Sequence, residues 1–96
     1  MEWLTSGLRR DICILLYDED YRVQSLKSDL ESRYGRRLQP KRFHGAVSKL
    51  ESAGYLQRRA DGLHDRCVLT DEGRGCVEAQ FEWMREELGV GGETSR

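Results

Sequence analysis

Residues 33–56 read RYGRRLQPKRFHGAVSKLESAGYL, a basic turn followed by a helix that Pro40 opens and Gly54 closes. Proline suits the first helical position, where its missing N–H would have had no intrahelical partner. Glycine suits the residue just past the last turn, where the backbone goes left-handed. Between Arg33 and Lys49 stand Arg33, Arg36, Arg37, Lys41, Arg42 and Lys49, with His44 and no acid. The whole chain of 96 residues has sixteen basic and seventeen acidic side chains and a net charge of −1. A local block of +6 on an otherwise acidic chain points to a polyanion-binding face.

Within this helix Phe43, Val47 and Leu50 recur at steps of four and three, with Ala46 and Ala53 beside them. That spacing makes one apolar stripe. The opposite face carries Lys41, Arg42, His44, Gly45, Ser48, Lys49 and Ser52. Upstream, a helix from about Ser25 to Tyr34 turns Val23, Leu26 and Leu30 inward, and Gly35 stops it. Tyr21–Val23 reads as a short extended piece, and Asp18–Asp20 as a solvated acidic loop. Before that loop, Leu8, Ile12, Leu15 and Leu16 form the stripe of a first helix capped by Thr5 or Ser6. Cys13, Ile14 and Tyr17 widen the stripe, so this helix is expected to be touched from two sides.

Downstream, residues 55–69 read as a hairpin with Asp61-Gly62 as its turn signal. Thr70 caps the last helix, and Asp71 and Glu72 suit the positive end of its dipole. Its stripe is Val77, Phe81, Met84 and Leu88, with Cys76, Gln80 and Trp83 alongside. Residues 89–96 are rich in glycine and small polar residues and predict a flexible tail.

Other classes find little support. The length suits one domain with a modest core. No run is long and apolar enough to span a bilayer, and the first residues lack the pattern of a secretory signal, so the expectation is a cytoplasmic protein. Cys13, Cys67 and Cys76 form no C-x-x-C pair, and with two histidines they predict no metal site and no cofactor. Catalysis is not expected, because no nucleophile–base pairing or phosphate-cradling glycine loop is legible.

Helix, short strand, helix, turn, helix, hairpin, helix is the order of a winged helix-turn-helix. The expected fold is mainly α with a small β-hairpin, plus a C-terminal dimerisation helix. Residues 1–70 would form the DNA-binding part, 71–88 the dimerisation helix and 89–96 the tail. A helix fits the major groove and reaches base edges from its N-terminal residues. Lys41, Arg42, His44 and Ser48 are the candidates for base edges, with Gln39 at the same end. Arg36, Arg37, Lys49, Arg58, Arg59 and Arg66, with His64 on the hairpin, are candidates for the phosphate backbone. Two other readings stay open: a protein-association module, and a regulator that responds to oxidation through Cys76 or Cys67.

The chain also resembles the PadR-like family of winged-helix transcriptional regulators, particularly its short archaeal members. The resemblance rests on Leu4-Thr5 through Arg10-Asp11, Leu26–Glu31 through Tyr34, Arg42-Phe43 with Val47 and Leu50-Glu51, Gly54-Tyr55-Leu56, and Leu69–Arg74. It covers roughly residues 4–88. It implies a duplex-DNA-binding repressor that dimerises through its last helix, packed on the partner's first and last helices. Trp3, Leu8, Ile12, Cys76, Val77, Gln80, Phe81, Trp83, Met84 and Leu88 are the corresponding interface candidates. It also implies a small apolar effector held between the helices of the dimer. Phe43-His44-Gly45 departs from the family's usual Leu-Tyr-Pro, and the wing sequence His64–Cys67 is less basic than is usual there.

Overall fold

The computed structural model describes residues 7–89, apart from the side chain of Asp61. Thr5, Ser6 and Trp3, and the tail from residue 90 onward, lie outside the described residues. The elements run α1 (Gly7–Asp18), β1 (Tyr21–Arg22), α2 (Val23–Tyr34), α3 (Pro40–Ser52), β2 (Leu56–Asp61), β3 (His64–Leu69) and α4 (Asp71–Leu88). The strands form one antiparallel sheet in the order β1-β3-β2. The architecture is that of a winged helix: four helices, with a small sheet whose β2–β3 hairpin is the wing.

One core joins these pieces. Phe43, Val47 and Leu50 of α3 pack with Ile12, Cys13 and Leu16 of α1, Leu26 and Leu30 of α2, and Leu56, Cys67 and Leu69 of the sheet. The apolar stripe of α3 is thus spent inside the chain, and its polar face is left to solvent.

The turn between α2 and α3 is held by one carboxylate. Gly35 caps α2 at φ 71°, and its N–H donates to Glu31 O at 2.9 Å. Glu31 Oε2 accepts from Lys27 Nζ and from the Leu38 N–H, both at 2.8 Å. These bonds, Lys27 first and the Leu38 amide second, hold Glu31 below the usual carboxylate range. A lowered folded-state pKa contributes stability above the unfolded value, and that stability is lost as pH falls through the folded one. Glu31→Gln is therefore expected to lower the urea midpoint at about pH 7, with the difference from the unmodified chain narrowing as the pH falls to about 3. Equal midpoint differences at both pH values would show that the carboxylate charge contributes nothing.

Three local expectations shift. The helix expected from Ser25 starts at Val23, directly after a two-residue β1. β1 is not merely extended but pairs with β3, Tyr21 opposite Cys67 and Arg22 opposite Arg66. The wing turn lies one residue later than Asp61-Gly62, because Asp61 pairs with His64 and leaves Gly62-Leu63 as the turn. Gly62 has φ 65° and Leu63 does not have positive φ, the distribution of a type II′ turn with glycine first.

Thr70 knots α4 to the entry of the wing. Its Oγ1 accepts from the Gly73 N–H at 3.0 Å and donates to Gly54 O at 2.7 Å. Its own N–H donates to Tyr55 O at 3.1 Å. Further along, Arg74 stacks over the Tyr17 ring at 4.5 Å, and Tyr17 Oη donates to Glu78, fastening α4 to α1.

Candidate nucleic-acid interface

With Phe43, Ala46, Val47 and Leu50 buried, α3 presents Lys41, Arg42, His44, Gly45, Ser48 and Lys49 on one exposed face. His44 meets the Phe43 ring edge-on, with centroids 5.1 Å apart. Gln39, the N-cap residue, makes no side-chain capping bond. The N–H groups of the first helical turn lie at the end where Lys41 and Arg42 project, the arrangement that favours an anion. Nothing lies within 4 Å of where a Cβ on Gly45 would stand, so no contact within the chain requires a small residue there.

Arg36 and Arg37 are exposed on the turn. With Gln39 and Arg42 they line a cleft of about 560 Å³ against the start of α1. At its wall Tyr34 Oη donates to Asp11 Oδ2 at 2.6 Å. Burial and this bond push the Tyr34 hydroxyl up to about 12, so it stays protonated and occupies the carboxylate that lies among these arginines.

The wing arginines divide. Arg58 donates to Ser48 Oγ at 3.0 Å, and its Nε lies 3.2 Å from Glu51 Oε1, without the alignment of a hydrogen bond. Arg58, a candidate for the phosphate backbone, braces β2 against α3 with a carboxylate at its side. Arg33 of the basic block is likewise engaged by Asp29 Oδ1 at 3.0 Å. Arg59 is exposed and donates to Gln57 Oε1 at 3.3 Å. Arg66 is half-buried and donates to the Asp20 carbonyl at 3.4 Å. His64 is exposed beside the tip, where Leu63 is 99% exposed.

The interface candidates divide too. Leu8 and Ile12 are buried in the chain's own core, so they have no surface for a second copy; the stripe they form faces inward. Cys76, Val77 and Gln80 are half-buried. Phe81, Trp83, Met84 and Leu88 are exposed, because α4 runs on past the core after Val77. Ile14, absent from the sequence-based candidates, is 47% exposed and lines a groove of about 760 Å³ with Tyr17, Val77 and Phe81. The signal for it was available, since Ile14 lies off the Leu8–Ile12–Leu16 stripe.

Burial pushes the Cys13 thiol up to about 12 and the Cys67 thiol up to about 11. Both stay protonated, and Cys67 has no exposed surface from which to respond to an oxidant. Cys76 is half-buried. Among the described residues, no three His, Cys, Asp or Glu side chains are grouped to hold a metal ion, and no helix is long and apolar enough to cross a membrane.

The fold and the exposed basic helix define the winged-helix class. Solved structures agree on that fold. RosR of H. salinarum superposes with a TM-score of 0.82 at 22% identity, over 88% of this chain and 77% of that one. A transcriptional regulator from Clostridium thermocellum gives 0.71 at 15% identity, over 84% and 82%. BldR, a transcriptional regulator from Sulfolobus solfataricus, gives 0.69 at 23% identity, over 88% and 58%. No protein-family model matches the chain, and no curated protein matches it.

Proposed function

We propose that this chain is a sequence-specific duplex-DNA-binding transcription regulator. It acts by binding, not by catalysis, as a PadR-like homodimeric repressor that occludes a promoter. The observation that carries the reading is the exposed face of α3, where Lys41, Arg42, His44, Ser48 and Lys49 stand clear of the core beside Arg36 and Arg37. Among these, Lys41, Arg42, His44 and Ser48 face base edges, while Arg36, Arg37 and Lys49 hold phosphates. The winged-helix fold shared with transcriptional regulators supports this use.

The last helix supplies the dimer contact. Val77, Phe81, Met84 and Leu88 are spaced four, three and four apart, the step of a two-helix seam. Ile14 continues the apolar surface onto α1. A second copy fits this surface because a two-fold axis lets one apolar stripe cover its own equivalent. The dimer then reads an inverted repeat with half-sites about one helical turn apart. A small apolar effector would enter the groove between α1 and α4.

Duplexes selected from a random pool test the reading. Lys41→Ala with Arg42→Ala is expected to weaken binding to the selected duplex by about 10²-fold or more, at roughly 1–3 kcal/mol for each lost base contact. The affinity of the unmodified chain should fall steeply with salt. An unchanged affinity and footprint in the double variant would remove α3 from the interface. The complete absence of salt-sensitive duplex binding would favour a protein-association module.

A further inference from the structure

Three arginines stand in one row across the sheet. The register sets Arg22 of β1 opposite Arg66 of β3, and Arg66 opposite Arg59 of β2. Residues directly opposite in an antiparallel pair project to the same face. Their neighbours identify it. Cys67 and Leu69 are buried on the inner side and Tyr21 packs against the core, so the three arginines take the outer side. With strands about 4.8 Å apart, the row spans about 10 Å.

The row leads away from the recognition helix. β2, an edge strand, lies against α3, while β1 lies against α2. Arg58, adjacent to Arg59, projects to the opposite, inner face, where it reaches Ser48 of α3, so the β2 strand itself lies between α3 and the row. A nucleic-acid strand leaving α3 over the β2 edge would meet Arg59, then Arg66, then Arg22. Guanidinium forks match phosphate oxygens in pairs, and such contacts position a duplex without reading its sequence.

We propose that Arg22, Arg59 and Arg66 form a phosphate-binding row on the outer face of the sheet, holding the DNA backbone that flanks the half-site under α3. This rests on the reading of the chain as a duplex-DNA binder. It adds Arg22, which lies outside both α3 and the wing hairpin, to the contact surface.

The test is a salt titration of binding to a random-sequence duplex of about 30 bp, between about 50 and about 200 mM salt. The slope of log affinity against log salt should become shallower by about 0.9 for Arg22→Gln and by about 2.7 for the triple Gln variant. Arg22→Lys should keep the original slope, because a point charge still neutralises a phosphate. Relative affinities for selected and random duplexes should change little in Arg22→Gln. An unchanged slope in Arg22→Gln, whether the triple variant folds or not, overturns the row; that would also be the result if the row served an acidic protein partner. Failure of the underlying reading looks different: the unmodified chain itself would then show no salt-sensitive binding.

Discussion

Gly73→Ala is expected to destabilise the fold by about 3 kcal/mol, at or beyond the upper end of what overpacking usually costs. A Cβ on Gly73 would stand 2.2 Å from Tyr55 O and 2.7 Å from Leu69 Cδ1. The first atom is backbone and cannot swing aside. Tyr55 O already accepts the Thr70 N–H, while the Gly73 N–H is held by Thr70 Oγ1. Making room for one methyl group therefore means moving the first turn of α4 off the wing and loosening its cap. Alanine's better helix propensity, worth up to about 1 kcal/mol, offsets only part of this. Gly75 supplies the contrast, because nothing lies within 4 Å of its Cβ position in the same helix. Gly75→Ala should stabilise by roughly 0.5–1 kcal/mol. Urea unfolding of both variants decides the matter, and a Gly73→Ala midpoint equal to or above that of the unmodified chain would show that α4 is not seated so closely.

That contact also shows where sequence reading stops. The stripe Phe43-Val47-Leu50, the stop at Gly35, the cap at Thr70 and the order of elements were all legible, because each depends on residues within one helical turn or one chain reversal. The Leu69–Gly73 block was legible as a pattern, but its physical cause, a backbone carbonyl at residue 55, was not. Nothing local to Glu31 points to its role; its partner, the Leu38 amide, lies seven residues on, beyond a turn whose path no periodicity fixes. Arg58 was legible as a basic wing residue, but not its contacts with Glu51 and Ser48, which the chain reversal at Gly54 brings to it. Leu8 and Ile12 were assigned to a dimer because a helix apolar on two sides does not reveal which side its own core takes. Arg22 carried no signal at all, since its place in the arginine row depends on the register of β1 against β3.

The dimer proposed through α4 predicts that Phe81→Glu combined with Met84→Glu leaves a folded monomer. Both positions are exposed, at 60% and 40%, and neither belongs to the buried core, so the chain's own packing loses little. In a two-fold dimer the stripe meets its own equivalent, so the new carboxylates of both copies share one buried surface, and burying unpaired like charges costs far more than the apolar contact they replace. Ile14→Glu tests the α1 side of the same surface, where Ile14 meets the groove formed with Val77 and Phe81. The consequence for DNA is larger than the loss of one contact. A dimer converts binding at the second half-site into an intramolecular event, which raises affinity roughly 10²–10⁴-fold without any new base contact. The monomer should therefore lose about that factor on a duplex with two half-sites and almost nothing on a duplex with one. Light scattering coupled to size exclusion gives the mass, circular dichroism checks the fold, and fluorescence anisotropy on the two duplexes gives the affinities. A double variant that stays dimeric, or that binds both duplexes as the unmodified chain does, would place the dimer contact away from α4.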